Sequence, residues 1–254
     1  MGSIPVHQPR GFNAPVRPPS PGLAHESATH SRAALVQNFP LFSSISAEEV
    51  REIVSAAHQA EFARRQTIYL EGDPVRQIVL LLSGCAKVSQ VGQNGTEVIL
   101  RLNSPGEVVG KVGYNQARHC STAQALSAST ALVWDATVFE SLSQRFPALR
   151  RNTVHTLSER LEKLEERFRE ISTERVAARL SREIVRLLAQ VGRRVNGTIE
   201  INLSREELAQ LIGTTLFTVS RLLSDWDERG IVTTRREAVS VNDLEALQQL
   251  AECE

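Results

Sequence analysis

The chain has 254 residues, 41% hydrophobic and 23% charged, which suits one large domain or two modest ones with ordinary buried cores. Lysine plus arginine equals aspartate plus glutamate at 29 each, so overall charge gives no sign of attraction to nucleic acid or membrane, and any such signal is local. Cys85, Cys120 and Cys253 are too few and too scattered for a disulfide framework or a four-cysteine cluster, no apolar run approaches the roughly 20 residues needed to span a bilayer, and no apolar stretch marks a signal peptide, so a cytoplasmic, membrane-free protein is expected.

Residues 1–32 hold Pro5, Pro9, Pro15, Pro18, Pro19 and Pro21 among few aliphatics, a composition that predicts a disordered tail. The first helix signal follows: Ser46 caps, Glu49 completes a capping box, and Ile45 with Val50 forms a hydrophobic staple, predicting a helix over about 46–58. From about 61 to 134 the pattern changes to short β runs separated by turn residues. Thr67–Leu70, Ile78–Leu82, Val88–Val91, Val98–Leu102, Val108–Val109 and Ala131–Trp134 are the predicted strands, and Asn94-Gly95 is a strong hairpin signal between two of them. Evenly spaced short strands imply a small antiparallel barrel or roll.

After Pro147 the period becomes helical. Val154, Leu157, Leu161, Leu164, Phe168 and Ile171 recur at alternating spacings of three and four, with Glu159, Arg160, Glu162, Lys163, Glu165, Glu166, Arg167 and Arg169 between them. One narrow apolar stripe on an otherwise charged helix suits a two-stranded coiled coil with a second copy of the chain; packing on the chain's own roll is the alternative. A further helix over about 173–191 carries Val176, Leu180, Ile184, Leu187 and Val191 on one face and stops at Gly192, and a strand over Ile199–Leu203 follows.

Ser204 and Glu207 form a second capping box ahead of Leu208, Ala209, Leu211 and Ile212. Gly213 suits a left-handed stop, and Thr214 or Thr215 can cap a new helix containing Val219, Leu222, Leu223 and Trp226. Two short helices joined by a glycine-containing turn describe a helix-turn-helix. Gly230 closes the second helix, and Ile231–Thr234 with Ala238–Val241 form a hairpin around Arg235-Arg236-Glu237, a wing with positive charge where a DNA backbone can lie.

With these residues in place, the chain resembles the cyclic-AMP receptor protein/FNR family of bacterial transcription regulators over residues 34–241. The likeness is carried by the turns Glu71-Gly72-Asp73, Ser83-Gly84, Asn94-Gly95 and Pro105-Gly106-Glu107, by Val176-Ala177-Ala178-Arg179-Leu180, and most specifically by LSREELAQLIGTTLFTVSRLL at 203–223. The resemblance implies an α+β chain: a cyclic-nucleotide-binding-like β-roll over 33–146, a dimerisation helix over 147–172 and a winged helix-turn-helix over 173–254. It further implies a homodimer on a palindromic operator in double-stranded DNA, its two recognition helices one helical turn apart, with RNA polymerase a further candidate partner.

Thr215, Leu216, Phe217, Ser220 and Arg221 are the candidates to face the major groove. Arg221 can donate twice to guanine O6 and N7. Ser220 and Arg221 match the Ser-Arg pair of the FNR branch. Phe217 stands where the family usually carries a glutamate, and Leu216 where the cyclic-AMP branch has an arginine; this apolar pair either packs on thymine methyl groups or fills the body of the domain. Ser204, Thr214, Thr215, Thr218, Arg235 and Arg236 are the expected phosphate contacts, with plain helix capping the competing role for the hydroxyls.

In the family's nucleotide binders a Gly-Glu pair holds the ribose and an Arg-Ser pair the cyclic phosphate. Here those places read Gly110-Lys111 and Cys120-Ser121, with Arg118 two residues early, and Leu164 and Glu165 fall where adenine would be met. The reversed charge at Lys111 and the missing cation at Cys120 argue against a cyclic nucleotide. The cysteine array of an iron-sulfur cluster is lacking, and His119-Cys120 with Cys85 could serve haem, except that neighbours on a strand point to opposite faces, so buried structural cysteines are expected and no cofactor is assigned. No glycine-rich phosphate loop, nucleophile elbow, HExxH or CxxC is present, so a non-enzymatic regulator is expected; the alternative is a ligand-binding adaptor whose winged helix contacts protein.

Overall fold

A computed structural model describes residues 23–111, 118–195 and 197–252. The chain opens with helix α1 (Leu23–Val36), a 3-10 turn at Pro40–Phe42 and helix α2 (Ala47–Ser55). The tail expected over 1–32 is therefore corrected at its inner end: beyond Pro21 no proline interrupts the chain until Pro40, and Ala33 and Val36 are buried in the first core. The six tail prolines lie outside the described residues. Ser46 caps α2 and accepts from the Glu49 amide at 3.3 Å, while the Glu49 carboxylate accepts from the Ser46 amide at 3.0 Å, the predicted capping box.

Eight strands form the roll: β1 (His58–Phe62), β2 (Thr67–Tyr69), β3 (Gln77–Ser83), β4 (Ala86–Val91), β5 (Glu97–Asn103), β6 (Val108–Val109), β7 (Thr122–Ala125) and β8 (Ser129–Asp135). They pair antiparallel in two four-stranded sheets, ordered β1-β8-β3-β6 and β2-β7-β4-β5. Strand β3 shows why its sequence is a continuous apolar run. Val79 and Leu81 join the core between the sheets, whereas Ile78 and Leu80 join the core under the helices, so both faces are buried. That second core includes Val50, Ile53 and Val54 of α2, and the Trp134 indole donates to the Ile53 carbonyl at 2.8 Å.

Helix α3 (Ala136–Arg145) leads into α4 (Pro147–Thr173), which has Pro147 at its first turn, where a missing N–H costs nothing. At 27 residues α4 is about 40 Å long. Its root is fixed by buried Leu149 and by the Asn152 amide, which donates to the Leu41 and Ser43 carbonyls at 3.0 and 2.7 Å.

Helix α5 (Val176–Val191), strands β9 (Arg193–Val195) and β10 (Thr198–Ile201), helices α6 (Arg205–Ile212) and α7 (Leu216–Glu228), strands β11 (Val232–Arg235) and β12 (Ala238–Val241) and helix α8 (Leu244–Glu252) form the C-terminal domain. Its sheet is ordered β11-β12-β10-β9. Its core joins Leu180, Ile184 and Leu187 of α5 to Leu208, Leu211, Val219, Leu223, Trp226 and Leu247, and also takes in Ile99 and Leu102 of β5. The β4–β5 register shifts between Val88 and Ser89, whose partners are Arg101 and Ile99, leaving Leu100 as a bulge. Because of that extra residue, Ile99 and Leu102 both reach the C-terminal core although they are three apart.

Candidate nucleic-acid interface

The turn between α6 and α7 is built as its residues predict. Ser204 caps α6, its hydroxyl taking the Glu207 amide at 3.1 Å and donating to the Glu207 carboxylate at 2.8 Å. Gly213 adopts φ 66° and ψ 50°, the left-handed conformation, and the Thr214 amide closes back on the Ala209 carbonyl at 3.0 Å. Thr215 is the cap of α7: its hydroxyl accepts from the Thr218 amide at 3.2 Å and shares a 2.9 Å hydrogen bond with the Thr218 hydroxyl. Capping thus employs the hydroxyls of Ser204, Thr215 and Thr218 and the amide of Thr214, all of which were phosphate candidates. Their remaining lone pairs still face outward at Thr215, which is exposed.

Helix α7 has two faces. Val219, Leu223 and Trp226 are buried, and this anchors the helix against α6 and the wing. On the other side Leu216 is 50% and Phe217 77% exposed, Ser220 is half-buried and Arg221 is exposed. Leu216 and Phe217 therefore do not fill the domain core. A phenylalanine this exposed holds about as much apolar surface in water as a folded protein ever leaves there without a partner. Arg221 has no ion pair or hydrogen bond among the described residues, so all its donors are free.

The wing holds a less expected arrangement. Arg235 approaches the Glu200 carboxylate at 3.3 Å, and Ser240 donates to the same oxygen at 3.2 Å. Asp227 at the end of α7 accepts from the Thr234 amide and hydroxyl at 3.1 and 2.8 Å, and Arg205 donates to the Thr234 hydroxyl at 3.0 Å. The wing is thereby tied to both helices of the motif. Arg236 is exposed at its turn, whereas Glu237 beside it reaches the β-roll: Arg64 donates to its carboxylate at 2.9 Å and Arg65 at 3.4 Å. Those hydrogen bonds hold the exposed Glu237 carboxyl below the usual carboxylate range. No sequence signal pointed to this contact.

The seam of α4 is open. Val154, Leu157, Leu161, Leu164 and Ile171 are 43–56% exposed and Phe168 is 71% exposed, so the apolar stripe does not lie on its own roll. Past the seam, α4 is joined to α5 by charge: Arg186 makes a two-pronged contact with buried Glu170, Arg167 pairs with buried Glu183, and Arg182 with Glu174. Burial pushes the Glu170 carboxyl up, but the Arg186 hydrogen bond and the charges of Arg186, Arg182 and Arg169 outweigh it and leave it below the usual value.

In the roll, Gly110 has φ 86°, and a side chain there would collide with Tyr69. Lys111 is half-buried and Ser121 buried. Arg118 donates to the Gly72 carbonyl at 2.7 Å. Residues 112–117 lie outside the description. His119 and Cys120 were expected on a strand; they precede β7 instead. His119 is buried and stacks on Tyr69 with ring centroids 3.6 Å apart, whereas Cys120 is exposed, which corrects the expectation of a buried structural cysteine there. Cys85 does follow that expectation in part: it is half-buried, and burial pushes its thiol up to about 12. Cys253 lies outside the described residues. Among the described residues no cluster of three His, Cys, Asp or Glu is arranged to hold a metal, and no helix is long and apolar enough to cross a membrane.

Comparison with known proteins agrees with this architecture. A cyclic nucleotide-binding domain profile matches residues 59–146, and a Crp-like helix-turn-helix domain profile matches residues 174–250. The CRP-like cAMP-activated global transcriptional regulator of Mycobacterium tuberculosis is 22% identical over 214 residues, covering 83% of this chain and 96% of its own. The anaerobic regulatory protein of Pasteurella multocida is 27% identical over 190 residues, covering 74% of this chain and 70% of its own. Among solved structures, FixK2 from Bradyrhizobium japonicum shares the fold with a TM-score of 0.69 at 18% identity, covering 78% of this chain and 98% of that one.

Proposed function

The chain belongs to the Crp/Fnr family of transcriptional regulators, and we propose that it works as a homodimer that reads a palindromic operator in double-stranded DNA through α7. The observation that carries this reading is the division of α7 into a buried face and an outward face made of Leu216, Phe217, Ser220 and Arg221. Arg221, free of internal partners, selects a guanine in each half-site by a bidentate contact, and Ser220 adds a base-edge or phosphate bond. Leu216 and Phe217 have no donors or acceptors and favour thymine methyl groups beside that guanine.

Thr214, Thr215, Thr218 and Ser204 fix the helix start against phosphates, the caps orienting the free N–H groups of the turn. On the wing Arg236 is the stronger phosphate contact, since Arg235 is already shared with Glu200. The open seam from Val154 to Ile171 supports pairing with a second copy, which sets the spacing of the two recognition helices. We read the chain as a binding protein of the cytoplasm that acts with RNA polymerase rather than as a catalyst.

Operator selection from a random DNA pool tests the reading. An enriched palindrome with a guanine in each half-site is expected, and its loss of guanine preference with Arg221→Ala assigns the contact. A pool without any enriched palindrome overturns it and leaves a winged helix that contacts protein.

A further inference from the structure

Two arginines meet inside the β-roll with no acid to neutralise them. Arg101, on β5, and Arg160, on α4, both point at the Gly110 carbonyl, with donor distances of 3.5 and 3.0 Å, and Arg160 also donates to the Val108 carbonyl. Among the described residues neither forms an ion pair. The nearest acid whose field they feel is Glu107, and its carboxylate is turned to the Ser104 amide and hydroxyl at 2.7 and 3.1 Å. Carbonyl oxygens satisfy N–H groups but leave the charge uncompensated, and two guanidinium groups around one carbonyl repel each other. Burial, followed by the repulsion from Arg101, lowers Arg160 to about 10, so both remain cations at neutral pH.

The polar surroundings are also incomplete. Arg101 Nε is fully buried with no hydrogen-bond partner, and so is the Tyr69 hydroxyl. Tyr69 lies against Gly110, is held in place by the stacked His119 ring, and has the buried Ser121 hydroxyl beside it short of hydrogen-bond geometry. Two cations and an unused phenol donor therefore converge where a buried donor without an acceptor costs about 1–3 kcal/mol.

We propose that Arg101, Arg160 and Tyr69 bind a small anion bearing a carboxylate or phosphoryl group, between the roll and the dimer helix. The ligand's oxygens take the unused N–H of Arg101 and the Tyr69 hydroxyl, and its charge offsets both guanidinium groups. Neither Lys111 nor Cys120 takes part. Arg160 sits between Leu157 and Leu161 of the open seam, so the anion joins the roll to the helix that pairs two protomers. The inference names the ligand class for the sensor, and it rests on the regulator reading only for the link from ligand to DNA.

The test uses the full chain. Thermal melting and calorimetric titration are run with inorganic phosphate, succinate and cyclic AMP against sodium chloride at equal ionic strength, for the wild type and for Arg101→Gln, Arg160→Gln, Arg101→Lys and Arg221→Ala. Phosphate or succinate is expected to raise the melting midpoint, with binding weakened at least about tenfold in both glutamine variants and less in Arg101→Lys. In chloride alone Arg101→Gln is expected to melt no lower than the wild type, because an uncompensated charge is gone. A lower midpoint for that variant in chloride with no anion response in the wild type overturns the proposal. So does stabilisation by cyclic AMP alone, or a phosphate effect that survives both glutamine variants and disappears with Arg221→Ala, which places the anion on α7. An enriched operator without any anion effect sinks only this site; an anion effect without an enriched operator sinks only the regulator reading.

Discussion

Glu237, at the tip of the wing, accepts a hydrogen bond from Arg64 of the β-roll at 2.9 Å. The contact joins residues 173 apart in sequence and draws the wing toward the sensor, on the side where Arg236 stands exposed. Glu237→Gln removes this tie and also a negative charge beside the candidate phosphate contact. Its affinity for the selected operator is expected to rise severalfold, with a steeper fall as salt increases, while thermal stability hardly changes because the pair is solvent-exposed. Fluorescence anisotropy at several salt concentrations measures both; an unchanged or weaker affinity would show that the wing is not restrained by the roll.

Base reading by α7 separates into two effects. Arg221→Ala should cost about 1–3 kcal/mol against the best operator and nearly nothing against one with the guanine replaced. Phe217→Ala should leave the melting midpoint in place, since the ring is 77% exposed, and relax the thymine preference next to that guanine. Competition binding with single-base operator variants reads both. A large drop in stability for Phe217→Ala would return that ring to a packing role.

The seam predicts an association equilibrium. Leu161→Glu combined with Leu164→Glu places like charges on the stripe and should yield a monomer in sedimentation velocity, with operator binding lost and the far-ultraviolet circular dichroism of the folded protomer retained. A dimer that persists in this variant would mean that the stripe faces something else.

Acid stability follows from Glu170. Its carboxyl lies lower in the folded chain than the ordinary 4.5, so its contribution is fully present above 4.5 and is lost as pH falls through the lowered folded value. Glu170→Gln should destabilise by about 1.5–3 kcal/mol at pH 7, where the Arg186 contact is lost, and should flatten the loss of stability on the acid side. Urea unfolding at pH 7 and below pH 4 compares the two slopes; parallel curves for variant and wild type would remove Glu170 from the account.

The two described cysteines should differ in reactivity. With Cys85 raised to about 12, roughly one thiol in ten thousand is ionised at pH 8, and burial shields it further. Exposed Cys120 should therefore be alkylated well ahead of Cys85, as peptide mass analysis over a time course would show. Faster labelling of Cys85 would mean that the roll opens beside it.

What the sequence made legible was local. Ser46 with Glu49 and Ser204 with Glu207 are capping boxes written within four residues, Gly213 announces a left-handed stop, and Asn94-Gly95 announces a hairpin, so each was readable before any coordinates. Strands β1 (HQAEF) and β7 (TAQA) were missed because they carry few β-branched residues and owe their state to pairing with β8 and β4. Helix α8 was missed although Leu247 is fully buried, since its stripe is short and nothing before it resembles a cap of the serine type. The site residues on α7 were legible because one helix face holds them all. Arg101, Arg160 and Tyr69 were not: 91 residues of chain, from 69 to 160, separate groups that only the closing of the roll brings together.

The bulge at Leu100 has a mechanical consequence. The extra residue frees its carbonyl from the sheet, and Arg167 of α4 takes that oxygen at 2.8 Å while also holding Glu183 of α5. One guanidinium thus clamps the sensor sheet, the pairing helix and the helix that carries the reading head. Turning α4 about its own axis must either strip Arg167 from both partners or drag α5 along with it, so the clamp converts a rotation at the twofold axis into a swing of α7, and no long relay of side chains is required.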